Sequence, residues 1–396
     1  MAKKIGYIRA RYPETRNIIN KAAGNPEYVQ IAKFHNSLLI LSRAREILTG
    51  KLLHRLIPLN WDRHAVYKTM IPPRVDIIHT FNAVCDTDIP WVSTFESVIP
   101  RTNQTCNSAW QQAPQKADKL NKKAFELLRK SSCKALIAIS EANKNMQLQI
   151  MEAFDVDGRE EIAKKITVLH PPQPLLVTEE EVQEKFENVE NCVEIIFVGG
   201  KFFRKGGAEI VDSLTALAEH KQKFHLTVIS SLDYGDDVSR STYEDMLHYK
   251  QILTNSEWIT YYERLSNPEV LELCKKAHIG LLPTMADTYG YSVLEMQSCG
   301  CPVITTDIRA LPEMNNNSCG FIINVPKAPS TEALYETDEE LSVLKKSIYD
   351  GLYNAFSEIL NTPDKLKAKS LASIKKIKKD HCPQKYGQRL AEIYKL

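Results

Sequence analysis

Residues 281–313 read LLPTMADTYGYSVLEMQSCGCPVITTDIRALPE. An apolar run closes at Pro283, and a turn carrying Asp287 and Gly290 follows. A helix-like segment with one internal carboxylate, Glu295, then leads to a second apolar run at 302–306. Short apolar strands on either side of a helical segment predict parallel strands covered on both faces. A helix starting near Gly290 offers free backbone N–H groups to an anion, and glycine lets the backbone approach it closely. Asp287 can accept hydrogen bonds from hydroxyls. Glu295, eight residues on, is a bidentate acceptor suited to a vicinal diol such as a ribose. An anion site, a diol acceptor and a hydroxyl acceptor together describe a nucleotide-sugar.

Outward from this stretch, strand-like and helix-like runs alternate. The second half continues with VEIIFVG (193–199), HLTVIS (225–230), WITYY (258–262) and GFIINV (320–325). The first half has KIGYIR (4–9), VDIIHTF (75–81), PWVSTF (90–95), ALIAIS (135–140) and ITVLH (166–170), with helical stretches at 117–131 and 141–154. HPPQPLLVTEEEVQEKFENVENC (170–192) reads as a polar, proline-led linker. The expectation is an α/β protein of two doubly wound domains, with ligand bound in a cleft at the carboxyl ends of the strands.

The whole chain fits that reading. Its 396 residues exceed one ordinary core. Acids and bases nearly balance to a net charge of +2, which gives a nucleic-acid partner little support. No apolar run matches a transmembrane helix, and the N-terminal residues lack the apolar core of a signal peptide. Nine scattered cysteines read as reduced thiols, and a cytoplasmic protein is expected. Cys299 and Cys301 form the only close pair and read as packing residues.

A second phosphate-type signal is FVGGKFFRKGGAEIV (197–211), where glycines bracket Lys201, Arg204 and Lys205 after a strand. It is neither a Walker loop nor a dinucleotide fingerprint. Its charges suit a departing diphosphate. With these residues in hand, the pattern Pro283, Asp287, Gly290, Glu295, Gly300, Pro302, Val303 resembles the donor-site signature of retaining glycosyltransferases of the GT-B fold, family 4 (glycosyl transferases group 1). FVGGKFFRKGG looks like the family's basic loop, and LPEMNNNSCGFIINV (311–325) like its downstream Pro-Glu segment.

The resemblance implies two facing Rossmann-like domains with the ligand cleft between them. An acceptor domain would span 1–175 and regain a returning C-terminal helix at about 381–396, and a donor domain would span 176–380. It implies that Lys205 binds the donor diphosphate, with Gly200, Lys201 and Arg204 beside it. Asp287 would lie near the sugar hydroxyls and Glu295 would hold the ribose. Tyr289, Gly290, Tyr291 and Ser292 would offer loop amides. Three positions depart from the family: Asp287 replaces a glutamate, Gly200 the arginine that usually partners the lysine, and Glu96 a histidine beside the transferred sugar.

The expected activity is transfer of a sugar from a UDP- or GDP-type donor to a glycan or lipid-linked acceptor, in polysaccharide or glycoconjugate synthesis. Catalytic roles fall to Lys205, Asp287 and Glu96, with no metal and no bound cofactor. A sugar-nucleotide epimerase, a phosphorylase and a catalytically silent partner subunit are the alternatives. Arg9 and Arg11 read either as acceptor contacts or as surface charge, Glu313 as a donor contact or a helix cap, and His79 as a cleft residue or a strand-end histidine satisfied by backbone. The partly amphipathic stretch 44–61 and the Lys-rich 364–381 carry the alternative of peripheral contact with a membrane face.

Overall fold

A computed structural model of the protein describes residues 2–31, 65–68, 72–106, 109–218, 223–235 and 237–395. The 44–61 stretch lies outside them. The chain divides into two units, Met1–Pro172 with Pro383–Leu396, and Gln173–Cys382.

The first unit is built on a parallel sheet of order β2-β1-β4-β6-β7-β8. Its strands are β1 (Lys4–Tyr7), β2 (Glu27–Gln30), β4 (Ile77–Phe81), β6 (Trp91–Phe95), β7 (Cys133–Ala138) and β8 (Ile166–Val168). Two short strands, β3 (Val66–Tyr67) and β5 (Val84–Cys85), pair separately. β6 is buried along its whole length, so its two hydroxyls need partners. Ser93 accepts from Thr80 at 3.0 Å, and Thr94 meets His79 Nε2 at 2.8 Å. The other ring nitrogen of His79 bonds the hydroxyl of Tyr394, from the C-terminal helix Pro383–Tyr394. His79 is thus satisfied by two side chains rather than by backbone. Complete burial keeps its imidazole neutral and lowers its pKa to about 3. Tyr386 of the same helix donates to the Asn17 carbonyl at 2.7 Å, so the end of the chain completes the first unit's core.

The second unit carries a parallel sheet of order β11-β10-β9-β12-β13-β14. The strands are β9 (Val193–Val198), β10 (Phe224–Ile229), β11 (Ile259–Tyr262), β12 (Ile279–Leu282), β13 (Val303–Thr306) and β14 (Gly320–Ile323). β12 and β13 are buried at every position, and burying each Leu, Ile or Val there contributes roughly 1.5–3 kcal/mol. Strand order reverses between β9 and β12, so their carboxyl ends flank the topological switch point of this sheet.

The 170–192 stretch is not merely a linker. It contains the helix Glu179–Lys185, opened by a capping box between Thr178 and Glu181, with Val182 and Phe186 buried. Lys185 donates to the carbonyls of Cys299 and Gly300 at 3.0 and 2.7 Å, which ties this helix to the second unit. The Lys-rich segment forms the helix Lys365–Asp380, which buries Leu366, Ile374 and Ile377. Cys299 and Cys301 are fully buried, and all nine cysteines are free thiols. No helix among the described residues is long and apolar enough to cross a membrane.

Candidate active site

The two loops singled out in the sequence leave the two strands at the switch point. β9 ends at Val198 and feeds the 199–206 loop, and β12 ends at Leu282 and feeds the 283–290 turn. The loops are stitched together through backbone. Met285 N–H donates to the Arg204 carbonyl at 2.9 Å. Gly206 has φ 80°, and a Cβ there would lie 2.3 Å from the Pro283 carbonyl oxygen. Only glycine meets both conditions. Thr284 is fully buried, and its carbonyl accepts from Thr306 Oγ1 of β13 at 2.7 Å. Behind the first loop, Ser230 donates to the Gly199 carbonyl at 2.5 Å, and Phe202 N–H to the Ser231 carbonyl at 3.1 Å. Sequence reasoning missed this Ser230–Ser231 support; two hydroxyls ending an apolar strand were its only signal.

The three basic residues of the first loop have three different fates. Arg204 turns back and donates from Nη1 to the Ala286 carbonyl at 2.9 Å, so it braces the second turn. Lys201 is exposed and occupies a left-handed conformation, φ 70°. Lys205 points across Gly199 toward Asp287, with Nζ 3.4 Å from Oδ2. Gly199 makes this passage possible, because a Cβ there would lie 2.5 Å from Lys205 Cδ. Both side chains of the pair are about 15% exposed, so the pair is well shielded from water yet still reachable. Gly200 faces open space, its nearest Cβ contact being Ser231 Oγ at 4.0 Å. A longer side chain fits there without displacing anything.

Past the pair, the second turn runs into the N-terminal end of a helix. Tyr289 N–H approaches Asp287 Oδ1 at 3.4 Å, which folds the turn locally, and the Tyr289 ring lies 5.0 Å from that of Tyr291. Gly290 is the N-cap at φ 93°, and the helix runs Tyr291–Ser298. Ser292 Oγ, in its first turn, is buried with no hydrogen-bond partner among the described residues. Glu295 stands one turn further along the same helix. The structure therefore gathers Lys205, Arg204, Asp287, Tyr289, Gly290, Tyr291, Ser292 and Glu295 on two adjoining loops and one helix.

Glu96 belongs to the first unit. Its Oε1 accepts from Arg101 Nη1 at 2.6 Å and from Asn82 Nδ2 at 3.2 Å, and its carbonyl accepts from Asn143 at 2.6 Å. Its charge is thus already answered by an arginine within its own unit. Of the arginines after β1, Arg9 is half-buried and its pKa is lowered by burial and by the nearby charge of Arg11. No group of three or more His, Cys, Asp or Glu among the described residues is placed to hold a metal ion.

Comparison with known proteins bears on this site. Residues 178–337 match the sequence model of the glycosyl transferases group 1 family, a span that contains both loops and the pair. A comparison with curated protein sequences finds no match. Solved structures are similar over the whole length. A glycosyltransferase from Rickettsia africae is 16% identical with a TM-score of 0.58, covering 100% of this chain and 98% of its own. Anabaena HepE in complex with UDP and glucose is 12% identical with a TM-score of 0.55, covering 98% of each chain. Sucrose-phosphate synthase from Thermosynechococcus elongatus is 12% identical with a TM-score of 0.55, covering 99% of this chain and 98% of its own. At these identities the likeness establishes the fold, which is GT-B with two Rossmann-like α/β domains. The family match places a glycosyltransferase domain in the second unit.

Proposed function

We propose that this chain, which carries a glycosyltransferase domain on a GT-B fold, is a retaining enzyme that moves a sugar from a nucleotide-diphosphate donor to a glycan or lipid-linked acceptor. The observation that carries the reading is the Lys205–Asp287 pair at the switch point of the second sheet. A lysine with a single carboxylate for company, beside the N-terminus of an eight-residue helix, is poised for a diphosphate.

In the reaction, the bond between the anomeric carbon and the diphosphate oxygen breaks, and its electron pair leaves on that oxygen. Lys205 and the amides of residues 291–293 meet the charge as it develops. The acceptor hydroxyl oxygen bonds the anomeric carbon from the side the leaving group vacates, and its proton passes to the departing diphosphate. Asp287 accepts from the sugar's hydroxyls, and Glu295 accepts from the ribose diol. The buried hydroxyl of Ser292, lacking a protein partner among the described residues, supplies a further donor in the first helical turn.

HepE holds UDP and glucose in its solved structure, which supports a UDP-type donor here. Because the positive charge is built into the protein, donor turnover is expected to survive EDTA, and the reaction is expected to be metal-independent.

The test is a thermal-shift panel with UDP, GDP and ADP, followed by hydrolysis of the matching nucleotide-sugars. A nucleotide at a hundred times its Kd stabilises by about 2.7 kcal/mol. Absence of a shift with all three refutes the donor site. A shift without hydrolysis or transfer leaves the silent-subunit reading in its place.

A further inference from the structure

Behind the loop that carries Lys205 lies a cavity of about 400 Å³ within the second unit. It is walled by the helices Gly207–Ala218, Tyr243–Asn255 and Asp338–Asn361, and its size falls within the range of small-molecule sites. Glu209 lines it while only 6% exposed, and its Oε2 has no hydrogen-bond partner among the described residues. A buried carboxylate oxygen left without a donor is costly, and a native fold normally supplies one. Asp212 lines the same wall one turn on and accepts from Tyr249 Oη at 2.8 Å, which leaves its second oxygen for another donor.

Two lysines share this wall, and the charge of Lys345 is felt at Glu209, but neither ammonium bonds a carboxylate of the cavity. Lys345 Nζ donates to the Ser239 carbonyl at 2.9 Å, and Lys346 pairs with Asp350 at 3.0 Å. The rings of Phe203 and Tyr249, 5.7 Å apart, and that of Tyr349 complete the lining. One buried carboxylate oxygen in need of a donor, with a second, exposed carboxylate and aromatic faces beside it, forms a receptor for an organic cation. A metal ion is a poorer fit, since no group of three ligating side chains is assembled among the described residues.

We infer that this cavity binds a small aliphatic ammonium, whose N–H groups bond Glu209 and Asp212 and whose methylenes lie against Phe203 and Tyr249. The inference is independent of the donor reading, because none of these side chains belongs to the nucleotide site. Burial lifts the Glu209 carboxyl to about 7, so the cation must find it ionised. The other charged and titratable groups of the cavity are Asp212 on its own helix, Asp245 and Tyr249 on the second helix, and Lys345 and Lys346 on the third, while the charge of His248 acts on Asp212.

The test uses the full chain without nucleotide. Calorimetry compares 1,4-diaminobutane with 1,4-butanediol, which has the same shape and no charge. The diamine should bind at pH 8 and the diol should not. Binding should weaken about tenfold at pH 6, where roughly one Glu209 in ten stays ionised. Glu209→Gln should weaken the diamine at least tenfold at pH 8 and abolish that pH dependence. If Glu209→Gln does not fold, Asp212→Asn is read in its place with the same tenfold criterion. No heat with the diamine, equal binding of the diol, or a variant that binds as wild type overturns the inference.

Discussion

Replacing Asp287 by asparagine should separate the two halves of a nucleotide-sugar, with opposite signs. In the structure Lys205 Nζ stands 3.4 Å from Asp287 Oδ2, with both side chains about 15% exposed. At an effective dielectric of about 20, the Coulomb attraction at that distance is roughly 5 kcal/mol, most of it offset by the desolvation of both groups. A diphosphate arriving at Lys205 must share the lysine with that carboxylate and is repelled by it. For one charge about 6 Å from the carboxylate, at a dielectric of about 40, the repulsion is roughly 1.4 kcal/mol. Asp287→Asn keeps the shape and removes the charge, so bare UDP should bind about tenfold tighter. The complete donor should react worse, because hydrogen bonds from the sugar's hydroxyls to a charged acceptor are worth about 1.5–3 kcal/mol. A fall of about 10- to 100-fold in kcat/KM is expected. Calorimetry with UDP and steady-state kinetics with the matching sugar donor read the two effects separately. If Asp287→Asn weakens bare UDP tenfold or more, the carboxylate is orienting Lys205 rather than competing for it, and the reasoning fails.

Three further outcomes are expected. Glu295→Ala should weaken every nucleoside diphosphate by about 1–3 kcal/mol in calorimetry, through the lost ribose acceptor, and unchanged affinity would remove Glu295 from the site. Gly206→Ala should destabilise the second unit by at least about 1 kcal/mol in urea unfolding, because φ is 80° and the new methyl meets the Pro283 carbonyl; a neutral substitution would mean that the two loops are not locked together. His79 titrates near 3 in the fold against about 6.5 in the unfolded chain, so its contribution is intact above pH 6.5 and drains away as pH falls toward 3. By pH 5 the loss from this group alone is about 2 kcal/mol. Unfolding followed by the fluorescence of Trp91, fully buried in the same unit, should show that loss in wild type and a smaller one in His79→Gln.

What was legible in the sequence follows from what burial does to a pattern. Strands covered on both faces must be apolar throughout, so VEIIFVG and the run closing at Pro283 stand out and end within a residue of β9 and β12. β2, EYVQ, escaped notice because it lies at the sheet's edge and none of its residues is fully buried. The helix at 179–185 escaped for a different reason: its acidic composition reads as solvent, although Thr178-x-x-Glu181 and the Val182–Phe186 spacing announce it.

The site shows where pattern reading stops. Lys201, Arg204 and Lys205 lie within five residues, and nothing in their spacing ranks them as partners of a diphosphate. Contacts made some eighty residues away do rank them. Arg204 donates to the Ala286 carbonyl, which also accepts from Thr284 Oγ1 at 3.0 Å, so its guanidinium is committed to holding the turn. Lys201 is out in solvent, where screening reduces what a single charge can do. Lys205 is sheltered as Arg204 is, but the partner that holds it is a side chain that can yield to a stronger anion. A charge that must strengthen its hold as a leaving group departs has to be kept in low dielectric without being consumed there. Of the three, only Lys205 meets both conditions, and it does so because position 199 has no side chain to stand in its way.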